Sequence, residues 1–156
     1  MAKLKVKIEE DIILENQNYG SKRTFEISSI ANITKKIVTI ASDDDATVLV
    51  FKSTVAIADG ALDKENVKYI RITNLDSSNS VNISLQLDSG EDNSSADLSM
   101  THLLEAGRSF LMGAPDEGAH TDDDSATIVT ALTDLESIIV DPGSNSGQVE
   151  VFVAST

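Results

Sequence analysis

Residues 67–87 read VKYIRITNLDSSNSVNISLQL. In its second half Val81, Ile83, Leu85 and Leu87 alternate with Asn82, Ser84 and Gln86, and in its first half β-branched and aromatic residues run from Val67 to Thr73. Period-two alternation sends successive side chains to opposite faces, so it describes half-buried strands and not helix. The polar connection Asn74 to Ser80 reads as a turn, and the two strands are expected to pair as a hairpin.

The pattern continues outward in both directions. Upstream, Lys35 to Ala41 (KKIVTIA) and Ala46 to Lys52 (ATVLVFK) flank Ser42 and Asp43–Asp45, which predicts two paired strands around an acidic turn. At the N-terminus Leu4, Val6 and Ile8 alternate with Lys3, Lys5 and Lys7. After the turn cluster Asn16 to Ser21, a strand returns over Thr24 to Ile30, so residues 3–30 read as one long hairpin. Downstream, Leu98 to Leu104 turns through Glu105, Ala106 and Gly107 into Arg108 to Met112. Ser137 to Val140 is a short strand, Asp141, Pro142 and Gly143 a turn, and Gln148 to Ala154 a closing strand with Val149, Val151 and Val153 on one face. Ser53 to Asn66, Ser89 to Ser95 and the acidic stretch 113–125 read as exposed loops, and Ala126 to Leu132 fits strand or short helix equally.

About nine to eleven short strands with almost no helical periodicity predict an all-β, antiparallel two-sheet β-sandwich, jelly-roll or immunoglobulin-like. The 156 residues suit a single domain spanning 1–156. With no cysteine, disulfides, thiolate metal sites and thiol nucleophiles are excluded. The N-terminus lacks a continuous apolar run, so neither a signal peptide nor a membrane anchor is expected there.

The net charge of −14 is unevenly spread. Residues 1–36 carry seven bases and five acids, whereas residues 72–156 carry one base, Arg108, and fifteen acids. An acidic surface repels nucleic-acid phosphates, so direct nucleic-acid binding is not expected. The comb of Lys3, Lys5 and Lys7 reads either as the wet face of an edge strand, where lysine discourages aggregation, or as a docking strip for an acidic partner or the acidic half of a second copy. These three are the candidate partner-binding residues.

Catalysis finds no foothold in the sequence. His102 and His120 are the only histidines; His102 sits in a strand pattern with no nucleophile motif, and His120 in the acidic loop. The triplets Asp43–Asp45 and Asp122–Asp124, the latter near Asp116 and Glu117, are the carboxylate groups a hard cation would favour, but neither has the spacing of a calcium loop. No metal site and no cofactor is predicted, and the triplets read as solvated turns. With no tryptophan and only Tyr19 and Tyr69, a sugar-stacking platform is poor. A glycan- or calcium-binding sandwich remains the alternative of another class.

The segments AKLKVKIEEDIILENQNYG and RTFEISSI, KKIVTIAS, the 67–87 stretch, HLLEAGRSFLM and VEVFVAST together resemble small β-sandwich structural proteins of marine or cyanobacterial tailed bacteriophages. The resemblance implies a non-enzymatic capsid decoration or cement protein that binds the major capsid protein lattice, or else a collar, tail or fibre-associated part. It implies a homo-oligomer in the virion, assembled in the host cytoplasm, with no membrane partner.

Overall fold

The computed structural model describes residues 2–52, 60–87, 98–113 and 135–156. Outside them lie the Ser89–Ser95 loop, residues 114–125 with His120 and Asp122–Asp124, the Ala126–Leu132 stretch, and residues 53–59. The described strands are β1 (Ala2–Glu10), β2 (Ile13–Leu14), β3 (Gln17–Asn18), β4 (Ser21–Ile30), β5 (Asn32–Ile40), β6 (Ala46–Lys52), β7 (Leu62–Asp63), β8 (Val67–Asn74), β9 (Val81–Leu87), β10 (Leu98–Leu104), β11 (Ser109–Gly113), β12 (Leu135–Asp141) and β13 (Gly147–Ser155). One 3-10 turn, Lys64–Asn66, precedes β8, and the Asp63 carboxylate caps it by accepting from the Glu65 N–H. The all-β expectation therefore holds; the extra strands are the two-residue pairs β2 and β3 and the short parallel edge strand β7.

Two sheets form the sandwich, ordered β10-β9-β12-β6-β7 and β11-β8-β13-β5. Among the described residues, and leaving out β7, these two sheets hold eight body strands, in chain order β5, β6, β8, β9, β10, β11, β12 and β13. The four-stranded sheet then runs first, eighth, third, sixth, and its partner second, seventh, fourth, fifth. That is jelly-roll order, which decides the topology the sequence left open.

Three pairs expected to be hairpins are instead arches that step from one sheet to the other: β5 with β6, β8 with β9, and β10 with β11. The period-two pattern is the same in both cases, because an arch also keeps the apolar side chains facing inward. It differs only in whether the strands bond to each other or face each other across the core. The consecutive body strands that do pair are β9 and β10, from Leu87↔Leu98 to Val81↔Leu104.

The core lies between the sheets. Ile70, Ile72, Val149, Val151 and Val153 meet Val48, Ile83, Leu85, Leu87, Ile138 and Val140, all essentially inaccessible to water. Full burial of each such side chain contributes about 1.5–3 kcal/mol. A register shift opposite Ala154 and Ser155 lets Val67 and Ile70 both point inward while Tyr69 points out.

The one buried polar side chain among the described residues, Asn74, ties the β8–β9 arch. Its Nδ2 donates to the carbonyls of Asn79 (2.8 Å) and Leu104 (3.2 Å), and its Oδ1 accepts from the Asp76 N–H at 3.0 Å. Asp76 in turn accepts from the N–H groups of Ser78 and Asn79, and these bonds hold its carboxyl below the usual carboxylate range.

Candidate functional site: an N-terminal ribbon

The predicted 3–30 hairpin exists and is a ribbon attached to the outside of the jelly roll. β1 and β4 pair antiparallel from Ala2↔Ile30 to Glu10↔Ser21. A bulge opposite Lys3, with Ser29 at φ 64, bends the base of the ribbon. Directly paired residues share a face, so Leu4, Val6 and Ile8 lie with Ile27, Phe25 and Arg23 on one side, and Lys3, Lys5, Lys7 and Glu9 with Glu26, Thr24 and Lys22 on the other.

The apolar side packs onto the outer face of the four-stranded sheet. Val6 and Ile30 are buried with Tyr69 and Ala154, and Leu4, Ile27 and Phe152 close the contact. Tyr69 meets Phe152 edge to face at 6.1 Å between ring centres, and the Arg71 guanidinium lies 5.8 Å from the centre of the Phe152 ring. Burial pushes the Tyr69 hydroxyl above its ordinary pKa, and Arg71 partly offsets this. Beside it Glu150 accepts from Lys35 at 2.9 Å and from Arg71, and these two cations hold its carboxyl below the usual range.

Beyond Val6 the ribbon leaves the body. From Val6 to Leu14 there is at most roughly 26 Å of ribbon at about 3.3 Å per residue. Along it Ile8, Phe25, Ile12, Leu14 and Tyr19 are exposed, and Ile13 is 71% exposed. The tip is nevertheless well specified. β2 and β3 pair Ile13 with Asn18 and Leu14 with Gln17, and Glu15 and Asn16 between them have φ of 50° and 64°. Two consecutive positive φ values make the tight two-residue turn whose twist matches a hairpin. Where β1–β4 gives way to β2–β3, a Cβ on Gly20 would overlap the Glu10 carbonyl oxygen and crowd Asp11 Cα at 3.1 Å, so the backbone crossing there requires glycine.

The lysine comb is partly answered within the ribbon itself. Lys3 and Lys5 both lie beside Glu26, at 3.7 and 3.6 Å, whereas Lys7 forms no ion pair with a described residue. Exposed pairs of this kind hold weakly and leave the lysines available to a stronger acidic partner.

The other sequence candidates do not converge. Asp43–Asp45 form an exposed turn on the β5–β6 arch, remote from the ribbon's packing residues, and no group of three metal-ligating side chains gathers among the described residues. His102 is an exposed edge-strand residue leaning on Phe110 at 5.8 Å between rings. Among the described residues no helix is long and apolar enough to cross a membrane. Sequence reasoning missed the apolar tip, although Ile12, Ile13 and Leu14 stand consecutively in it; three adjacent aliphatics cannot all face one core from a strand, and that was the available signal.

No protein-family model matches the chain, and no curated protein matches it. A solved chain from Bacillus endospore appendages, a novel family of disulfide-linked pili, is similar to it at a TM-score of 0.37 and 11% identity, over 83% of this chain and 96% of that one. Likeness at that level assigns no role here, and a chain without cysteine cannot be disulfide-linked.

Proposed function

We propose that the chain is a non-enzymatic structural protein of a virion, a decoration or cement protein seated on the major capsid protein lattice of a tailed phage. The observation that carries this reading is the ribbon, which ends in a tight-turned, exposed apolar tip that adds nothing to the chain's own core. Exposed aliphatics on a shaped projection suit contact with another protein. Jelly rolls serve in viral capsids and also in lectins and cupins, so the architecture agrees with this role without selecting it. The acidic character of the chain suits solubility at high copy number, and a modest contact per copy suffices when many copies bind a repeating lattice. Lys7, without an ion-pair partner among the described residues, is the member of the lysine comb best placed to join that contact.

Mass spectrometry of purified particles of the virus encoding the chain tests the reading. A capsid role predicts hundreds of copies per particle, and a collar, tail or fibre position tens. Absence from purified particles removes both.

A further inference from the structure

We infer that the ribbon tip of one copy docks on the outer face of β5 in a second copy, linking copies head to tail. This deepens the reading of the chain as an assembly subunit and rests on it.

The tip carries carboxylates beside its apolar residues. Residues 8–23 hold Glu9, Glu10, Asp11 and Glu15 against Lys22 and Arg23, a balance of −2. Glu9 is paired with Lys22 and Glu10 with Ser21, but Asp11 and Glu15 have no partner among the described residues. A matching surface must therefore be apolar and basic.

β5 has that character. It is the last strand of its sheet, bonded to β13 on one side and to no described strand on the other. Ile33 and Ile37 stand on its outer face, 60% and 57% exposed, with Lys35 between them. Lys36, exposed on the same strand, pairs with Val151 and so stands on the opposite face, and residues 27–42 contain no carboxylate. Glu150, the nearest acid across the sheet, is already matched by Lys35 and Arg71. By contrast Leu103, 56% exposed, has two acids, Glu105 and Asp141, around it against one base, Arg108, and so offers the acidic tip a less favourable surround. The tip and β5 are different patches, so the contact is heterologous and copies add in one direction, closing as a ring or extending along a lattice.

Sedimentation velocity of the full chain over a range of concentrations, with two variants, tests this. Wild type is expected to assemble with rising concentration. Leu14→Asp, altering the tip, and Ile37→Glu, altering the receiving face, are each expected to weaken association by roughly tenfold or more, the loss of one apolar anchor. Both side chains are more than half exposed, so thermal unfolding should be unchanged. Mixing the two variants is the decisive arm, since an intact tip then meets an intact face once per pair, and a dimer that grows no further should form. Because the chain has no cysteine, Leu14→Cys mixed with Ile37→Cys under oxidation should also give a disulfide-linked heterodimer. A wild type monomeric at every concentration, or a mixture that stays monomeric and fails to cross-link, overturns the head-to-tail contact. If such a monomer is still found in purified particles, the virion reading stands without it.

Discussion

Replacing Asn74 by alanine tests how the jelly roll turns its corners. The side chain is fully buried and makes three hydrogen bonds, to the Asn79 and Leu104 carbonyls and from the Asp76 N–H. At about 1 kcal/mol net for each bond, with an added cost for a buried carbonyl left without a donor, the loss is about 3–4 kcal/mol. Against a domain stability of about 5–15 kcal/mol this is a large fraction. With a urea slope of about 2 kcal/mol/M, the midpoint should fall by about 1.5–2 M, and the melting temperature by about 6–16 °C. Urea unfolding followed by circular dichroism reads it. Asn74→Asp should be at least as damaging near neutral pH, because it keeps the acceptor for Asp76 but turns a carboxylate toward two carbonyls. A shift below about 0.3 M for Asn74→Ala would refute the claim that this side chain holds the arch.

Ile72→Ala, in the core between the sheets, should cost about 2–5 kcal/mol, whereas Ile13→Ala at the ribbon tip should change stability by less than about 0.5 kcal/mol; paired urea titrations compare them. Gly20→Ala should leave the body's melting temperature unchanged while accelerating amide exchange across Glu10 to Gly20, because the Glu10 carbonyl must move away from the new methyl. Glu150 and Asp76 have folded-state pKa values below their unfolded ones, so the stability they contribute is complete only above about pH 5, clear of the unfolded values. It is lost as pH falls from there through the lower folded values. Glu150→Gln should flatten the acid limb of a stability-against-pH curve.

The strands were legible because alternation is a local property, and Val81 to Leu87 or Gln148 to Ala154 state their inward faces outright. Partner choice was not. The turn between Val67–Thr73 and Val81–Leu87 looks like a hairpin connection, and only the inward Asn74, bonded to a carbonyl thirty residues away in sequence, shows that it crosses the sandwich. The N-terminal hairpin was readable as a hairpin, but alternation alone suggested that Leu4, Val6 and Ile8 were equally covered. In the structure the sheet beneath ends its cover at Val6, leaving Ile8 exposed. The lysine comb was visible in sequence, but its engagement with Glu26 depended on β1–β4 register.

The proposed contact role requires the distal ribbon to lie outside the folding unit. The most direct test is the urea midpoint of a chain in which Ile8 to Arg23 is replaced by Asn-Gly, joining the paired residues Lys7 and Thr24. A midpoint within about 0.3 M of the full chain is predicted, and a fall of more than about 1 M would contradict it by showing that the ribbon's outer half stabilises the body.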